Sequence, residues 1–174
     1  MRTKTATLTA GFAILAALVP GAAWGANGAE VTKAAGPLTS YANPYGNGTA
    51  NTTDGGTARV HAVANSSGDA GKTIVTLHVS GLAPNREYGS HVHVLACDNN
   101  KAGPHYRNVV ANPASPENEI WLDFTTNAAG NGSAQAVVDW TIRPDGANAV
   151  IIHDRHSDHL GVAGPKLACI NVAF

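Results

Sequence analysis

The punctuation of this chain constrains its fold most. After residue 56, short runs rich in β-branched and aromatic residues alternate with clusters of Gly, Pro and Asn. No stretch holds a helical apolar period over three turns. Runs at 58–63, 73–79, 88–95, 120–126, 133–142, 147–153 and 167–174 read as strands. Gly81 with Pro84 and the pair Asn131-Gly132 mark turns between them. Seven or eight short strands predict an all-β sandwich or barrel. Two irregular stretches interrupt the pattern, one from Ala96 to about Asn118 and one from Asp154 to Pro165. A loop of more than twenty residues inside a compact domain usually serves function.

The first 25 residues follow a different rule. Arg2 and Lys4 precede an uncharged stretch from Leu8 to Val19, and Ala23-Trp24-Gly25 supplies small residues two apart. This is the pattern of a secretory signal peptide. The apolar run is too short to span a membrane, and no second run of membrane length follows. Cleavage after residue 25 would remove Arg2 and Lys4 and take the net charge from −1 to −3. A near-neutral chain has no basic stripe for nucleic acid. Residues 26–55 are small, polar and rich in Gly and Asn, and read as a flexible lead-in to a domain over 56–174. The mature protein is expected in a secreted, periplasmic or other extracytoplasmic setting. There the only two cysteines, Cys97 and Cys169, can pair or remain two separate buried thiols.

Histidines carry the chemical signal. His91-Val92-His93 places two imidazoles on one face of a strand, where they can share a metal ion or be ordinary polar-face residues. His105 lies in the first long loop, and His153 ends the apolar run Ala149-Val150-Ile151-Ile152. Lys166 stands three residues before Cys169. Four imidazoles without a thiolate suit Cu(II), with zinc as the competitor. His156 and His159 read as solvated loop residues or an auxiliary metal site, and His61 and His78 as ordinary polar-face residues.

Gly89-Ser90-His91-Val92-His93, Gly103-Pro104-His105-Tyr106, Val150-Ile151-Ile152-His153-Asp154 and Lys166-Leu167-Ala168-Cys169 resemble, in this order, motifs of the copper/zinc superoxide dismutases. The resemblance spans roughly residues 56–174. It implies an eight-stranded Greek-key β-barrel or flattened sandwich with long functional loops. It also implies copper ligands at His91, His93, His105 and His153, and a disulfide between Cys97 and Cys169. In that family the third ligand bridges copper to zinc, a role that would fall on His105. The family's remaining zinc ligands would fall near Pro113, Glu117 and Ile120, which make no His₂Asp set, and no histidine lies between His105 and His153. Zinc is therefore not expected, and the chain is similar to the copper-only branch. A carboxylate should then hold the second nitrogen of His105. Glu117 is the first candidate by loop position, and Glu119 or Asp158 the second. Lys166 stands where the family usually has arginine near copper, a point charge in place of a bidentate fork.

The resemblance implies a superoxide dismutase that forms dioxygen and hydrogen peroxide at one copper ion. His105 would exchange a proton, and Lys166 would draw in the superoxide anion. The alternative is a non-catalytic extracytoplasmic copper-binding or storage protein on the same fold. A metal-free β-sandwich that binds a partner or carbohydrate would leave the four ordered motifs to coincidence.

Overall fold

A computed structural model of the protein describes residues 23–24, 29–42, 52–65 and 71–174. Most of the expected signal peptide lies outside the described residues. The strands are β1 (Ala23–Trp24), β2 (Ala29–Pro37), β3 (Thr39–Ser40), β4 (Thr57–Asn65), β5 (Lys72–Ser80), β6 (Glu87–His93), β7 (Phe124–Thr125), β8 (Gly132–Val138), β9 (Ala149–His153) and β10 (Lys166–Asn171). They form two antiparallel sheets, ordered β1-β2-β4-β5-β8 and β3-β10-β9-β6-β7. The expected all-β class is present. The eight strands other than the two-residue β1 and β3 take a Greek-key course, crossing between sheets after β5, β7 and β8. The sheets face each other as a sandwich and do not close into a barrel.

Period-two alternation builds the first sheet. In β4, Ala58, Val60 and Ala62 are buried while Arg59 and His61 are exposed. In β5, Thr73, Val75, Leu77 and Val79 are buried. The two pair without a break from Thr57↔Ser80 to Asn65↔Lys72. One face therefore meets the core and the other meets water.

One expectation is corrected here. Within the segment read as a flexible lead-in, Ala29–Pro37 forms the nine-residue strand β2, paired along its whole length with β4. Ala34, Ala35 and Gly36 give it little β-propensity. The partner's register supplies the main-chain hydrogen bonds, so context overrides composition. Pro37 sits at the strand's last position, where a missing N–H costs least.

The second sheet is covered on both faces. Every residue of β9 is buried, and β6 is buried from Tyr88 to His93. Val92, Val150, Ile152 and Ile170 point between the sheets with Tyr88, Leu77 and Val75. On the opposite face, Ala149 and Ile151 pack with Cys97, Ala102 and Cys169 in a smaller cluster under the 94–103 segment. Cys97 and Cys169 are joined by a disulfide. Tyr41 closes this cluster and donates its hydroxyl hydrogen to the Cys97 carbonyl at 2.8 Å.

The disulfide joins residues 72 apart, so it removes about 4 kcal/mol of loop-closure entropy from the unfolded chain. Replacing both cysteines by serine should lower the unfolding free energy in urea by about that amount. A loss under about 1 kcal/mol would show that the 94–103 segment stays fixed without it.

Candidate metal centre

The β6–β9 register gathers three histidines. Gly89 faces His153, His91 faces Ile151 and His93 faces Ala149. Facing residues share a face, so His91, His93 and His153 project together from the outer side of the second sheet. His105 arrives from the long loop, which runs back along β6 and makes a bridge with His93. Tyr106 anchors that return. It is fully buried, its N–H donates to the Val92 carbonyl at 2.8 Å, and its hydroxyl accepts from the Arg143 N–H at 2.9 Å. The structure thus brings together all four histidines expected as ligands, with one ligand atom of each within 4.8 Å of the others.

Each ring has one nitrogen engaged and one open. Nδ1 of His93 donates to the Gly103 carbonyl at 2.9 Å, and Nδ1 of His153 donates to the Gly164 carbonyl at 3.0 Å. A carbonyl only accepts, so both rings carry their proton on Nδ1 and leave Nε2 bare. The two bare Nε2 atoms face each other at 3.4 Å, an opposition of lone pairs that a cation between them resolves. Nδ1 of His105 donates to Glu119 Oε2 at 2.9 Å, which leaves its Nε2 open. His91 is the reverse. Its Nε2 meets Ser157 Oγ at 2.8 Å, and its buried Nδ1 has no hydrogen-bond partner. One orphaned Nδ1 and three free Nε2 atoms, converging in a buried space, fit a single imidazole-bound metal ion.

Burial also keeps these lone pairs available. Loss of solvent lowers the His153 pKa to about 4 against the pull of the Gly164 carbonyl. Burial and the neighbouring His105 ring lower His93 to about 2, and burial with the other rings pushes His91 further down. His91, His93 and His153 are neutral near pH 7, the state a metal needs.

The carboxylate at His105 is a correction. Glu117, the first candidate, is exposed and bonds to Ser115. Asp158 accepts the Leu160 and Val162 N–H groups and braces its own loop. Glu119 does the work: it is 1% exposed, and besides His105 it accepts from Trp121 Nε1 at 2.9 Å and Arg107 Nε at 3.0 Å. Burial alone would raise its pKa, but the bonds from His105, Trp121 and Arg107 win and hold it below the usual range. Alternation could have found it. Ile120, Leu122 and Phe124 take the core side, so Glu119, Trp121 and Asp123 face the histidines.

Asp123 and Ser157 went unread in the sequence. Asp123 Oδ1 accepts the Ser90 N–H at 2.8 Å, and Oδ2 accepts the Ser157 N–H at 3.0 Å. Lys166 faces His153 in β10 and donates to the carbonyls of Lys101 and Gly103. Asn100, Lys101 and Ala102 all have positive φ, between 46° and 63°, so Lys166 grips a left-handed turn. His156 lies 3.3 Å from Asp123 Oδ2 and, like His159, is exposed and outside the four-ring cluster. His61 and His78 are exposed on the outer face of the first sheet.

No protein-family model matches the chain, and neither does any curated protein. Among solved structures it is similar to a double mutant of a SOD-like protein from Bacillus subtilis, at 19% identity, over 66% of this chain and 88% of that one, with a TM-score of 0.44.

Two outcomes follow from this geometry. In the metal-free protein, the depressed histidine pKa values leave stability intact above about pH 6.5, where the unfolded chain is also neutral. Below it the unfolded chain binds more protons. Stability should fall by up to about 1.4 kcal/mol per pH unit for each of His91, His93 and His153, down to about pH 4 for His153. Urea midpoints between pH 7 and pH 4.5 check this, and a flat profile would mean that the rings protonate inside the fold. Separately, Glu119→Gln should weaken metal affinity by about 10- to 100-fold in chelator competition, while Glu117→Gln leaves it unchanged.

Proposed function

We propose that this chain is an exported superoxide dismutase working at one copper ion held by His91 Nδ1 and by Nε2 of His93, His105 and His153. The observation that carries the reading is the division of the eight ring nitrogens into four engaged and four open ones. An all-imidazole donor set suits Cu(II) by ligand type and affinity order. When bound, copper supplies a one-electron acceptor and donor, so that two superoxide ions and two protons become one dioxygen and one hydrogen peroxide. Export is supported by the amino-terminal signal pattern and by the disulfide.

The chain's own groups then have distinct tasks. His105 is the most accessible ring, with its side chain 20% exposed while His91, His93 and His153 are 4% exposed or less. Its Nε2, once it gives up its bond to the ion, would take a proton from solvent and pass it to the peroxide product. Glu119 keeps the other proton on Nδ1, so the ring cannot turn over or change tautomer during the exchange. In this reading Glu119 takes the side of His105 that would otherwise face zinc. Lys166 holds a positive charge close enough to be felt by His93 and His153. The chain is net negative, so attraction of superoxide depends on this local charge.

The test is superoxide consumption by protein loaded with copper alone, zinc alone or both, with metal counted on the same samples. Fast turnover with one copper per chain is expected. Lys166→Gln should then lower kcat/KM several-fold and flatten its dependence on ionic strength. Copper retained without turnover would overturn the enzyme reading and leave a copper-binding or storage protein. A requirement for zinc would overturn the copper-only reading.

A further inference from the structure

Four basic side chains from three strands meet on the water-facing side of the first sheet, away from the histidine cluster. Lys33 of β2 stands opposite His61 of β4, and Arg59 of β4 stands opposite His78 of β5. Facing residues share a face, with their Cβ atoms about 5 Å apart and diagonal neighbours about 7–8 Å apart. All four are exposed. Like charges set opposite one another cost stability unless acidic neighbours offset them. Glu30 is the one acid in strands β2, β4, β5 and β8, and its place in the alternation puts it on the other face. Among the described residues, none of the four basic side chains has an ion-pair partner.

The charge balance of the chain conceals this patch. The formal net charge is −1, and residues 33, 59, 61 and 78 come together only through strand pairing. The same four side chains line a groove of about 1100 Å³ that continues along β2 to Ile170 and Val172. That is the size of a pocket for a drug-sized molecule or larger, far more than one small anion fills. The main-chain groups of β4 are committed to ladders on both sides, so the centre of the face recognises a partner through side chains alone. Those are one ammonium, one guanidinium and two imidazoles, with the Thr76 hydroxyl and the Gln135 amide beside them. Such donors match the oxygens of sulfate and phosphate groups. No Trp, Tyr or Phe stands at an outward position of these four strands. The face therefore offers neither a stacking platform for nucleobases nor an aromatic anchor for a lipid interface.

We propose that the outer face of the first sheet is a docking surface for an anionic polysaccharide, whose sulfate or phosphate groups are held by Lys33, Arg59, His61 and His78. The polymer supplies what the patch lacks, a negative charge between facing cations, and its hydroxyls meet Thr76 and Gln135. The histidine cluster lies on the outer side of the second sheet, so a polymer bound here leaves that site open. A net-negative protein is repelled by a negative matrix unless its positive groups are gathered on one face. The inference does not depend on the copper reading.

The experiment measures binding of the full mature chain to immobilised dextran sulfate and phosphomannan, with uncharged dextran as the blank. Lys33→Gln and Arg59→Gln should each weaken binding several-fold, and the double variant by about tenfold or more, with a shallower dependence on salt. Lys72→Gln, which removes a cation of the same face already paired with Asp139, should leave binding unchanged. Amide NMR shifts of the wild type during titration with dextran sulfate should centre on residues 33, 59, 61 and 78. Unchanged affinity in the double variant, an equal loss in Lys72→Gln, or shifts centred on Lys101 and Lys166 would overturn the proposal. If the double variant does not fold, the wild-type shift map decides by itself. Tighter binding to polyglutamate, to a single-stranded oligonucleotide or to vesicles of anionic lipid, at matched charge, would overturn the polysaccharide as the partner.

Discussion

The β6–β9 register is the constraint on which the rest of the site depends. Three imidazoles meet on one sheet face because Gly89 stands opposite His153 and His93 opposite Ala149. A slip of one residue would turn His91 and His93 into the space between the sheets and bring Val92 out. Nothing in the loops could compensate, since His105 finds its place by bridging to His93. The register is protected by what lies on the other side. Tyr88, Val92, Val150 and Ile152 are all buried in the main core, and each would lose its place in the same slip.

Burial of three imidazoles, with a fourth half-buried beside them, sets the second condition. An imidazole removed from water needs a partner for each polar atom. The fold meets this by covering the outer face of one sheet with two long loops, while the outer face of the other sheet stays open to water. The disulfide, Tyr41 and Lys166 fasten the first loop, and Asp123 with Ser157 fastens the second. The asymmetry between the sheets thus follows from the site. Alternation is clean where water covers one face and absent in β9, where protein covers both.

Much of this was legible in the sequence, for identifiable reasons. His91 and His93 could be placed on one face because strand periodicity is local. His153 and His105 are legible through motifs in a fixed order, and the Cys97–Cys169 pair through the resemblance. Strand β2 was missed because Ala34, Ala35 and Gly36 carry no local signal and its pairing with β4 is decided at long range. Loop position points to Glu117, whereas alternation with Ile120 and Leu122 on the core side assigns Glu119 to the histidine face. Ser157 could not be read at all. Its contact with His91 joins residues 66 apart through the closure of a loop with no periodicity.

The four ring partners fall into two kinds, and these differ in what mutation can do to them. His93 and His153 rest on the carbonyls of Gly103 and Gly164, both at positive φ, where a side chain would strain the backbone and press on Leu95 or Arg155. Main-chain acceptors cannot be exchanged by substitution, only displaced along with the turn that presents them. His91 and His105 rest on side chains, Ser157 and Glu119, which can be lengthened, shortened or neutralised one atom at a time. Half of the centre therefore resists substitution and half is adjustable by it. Substitutions that retune the cluster are expected to be tolerated at 119 and 157 more readily than at 103 and 164.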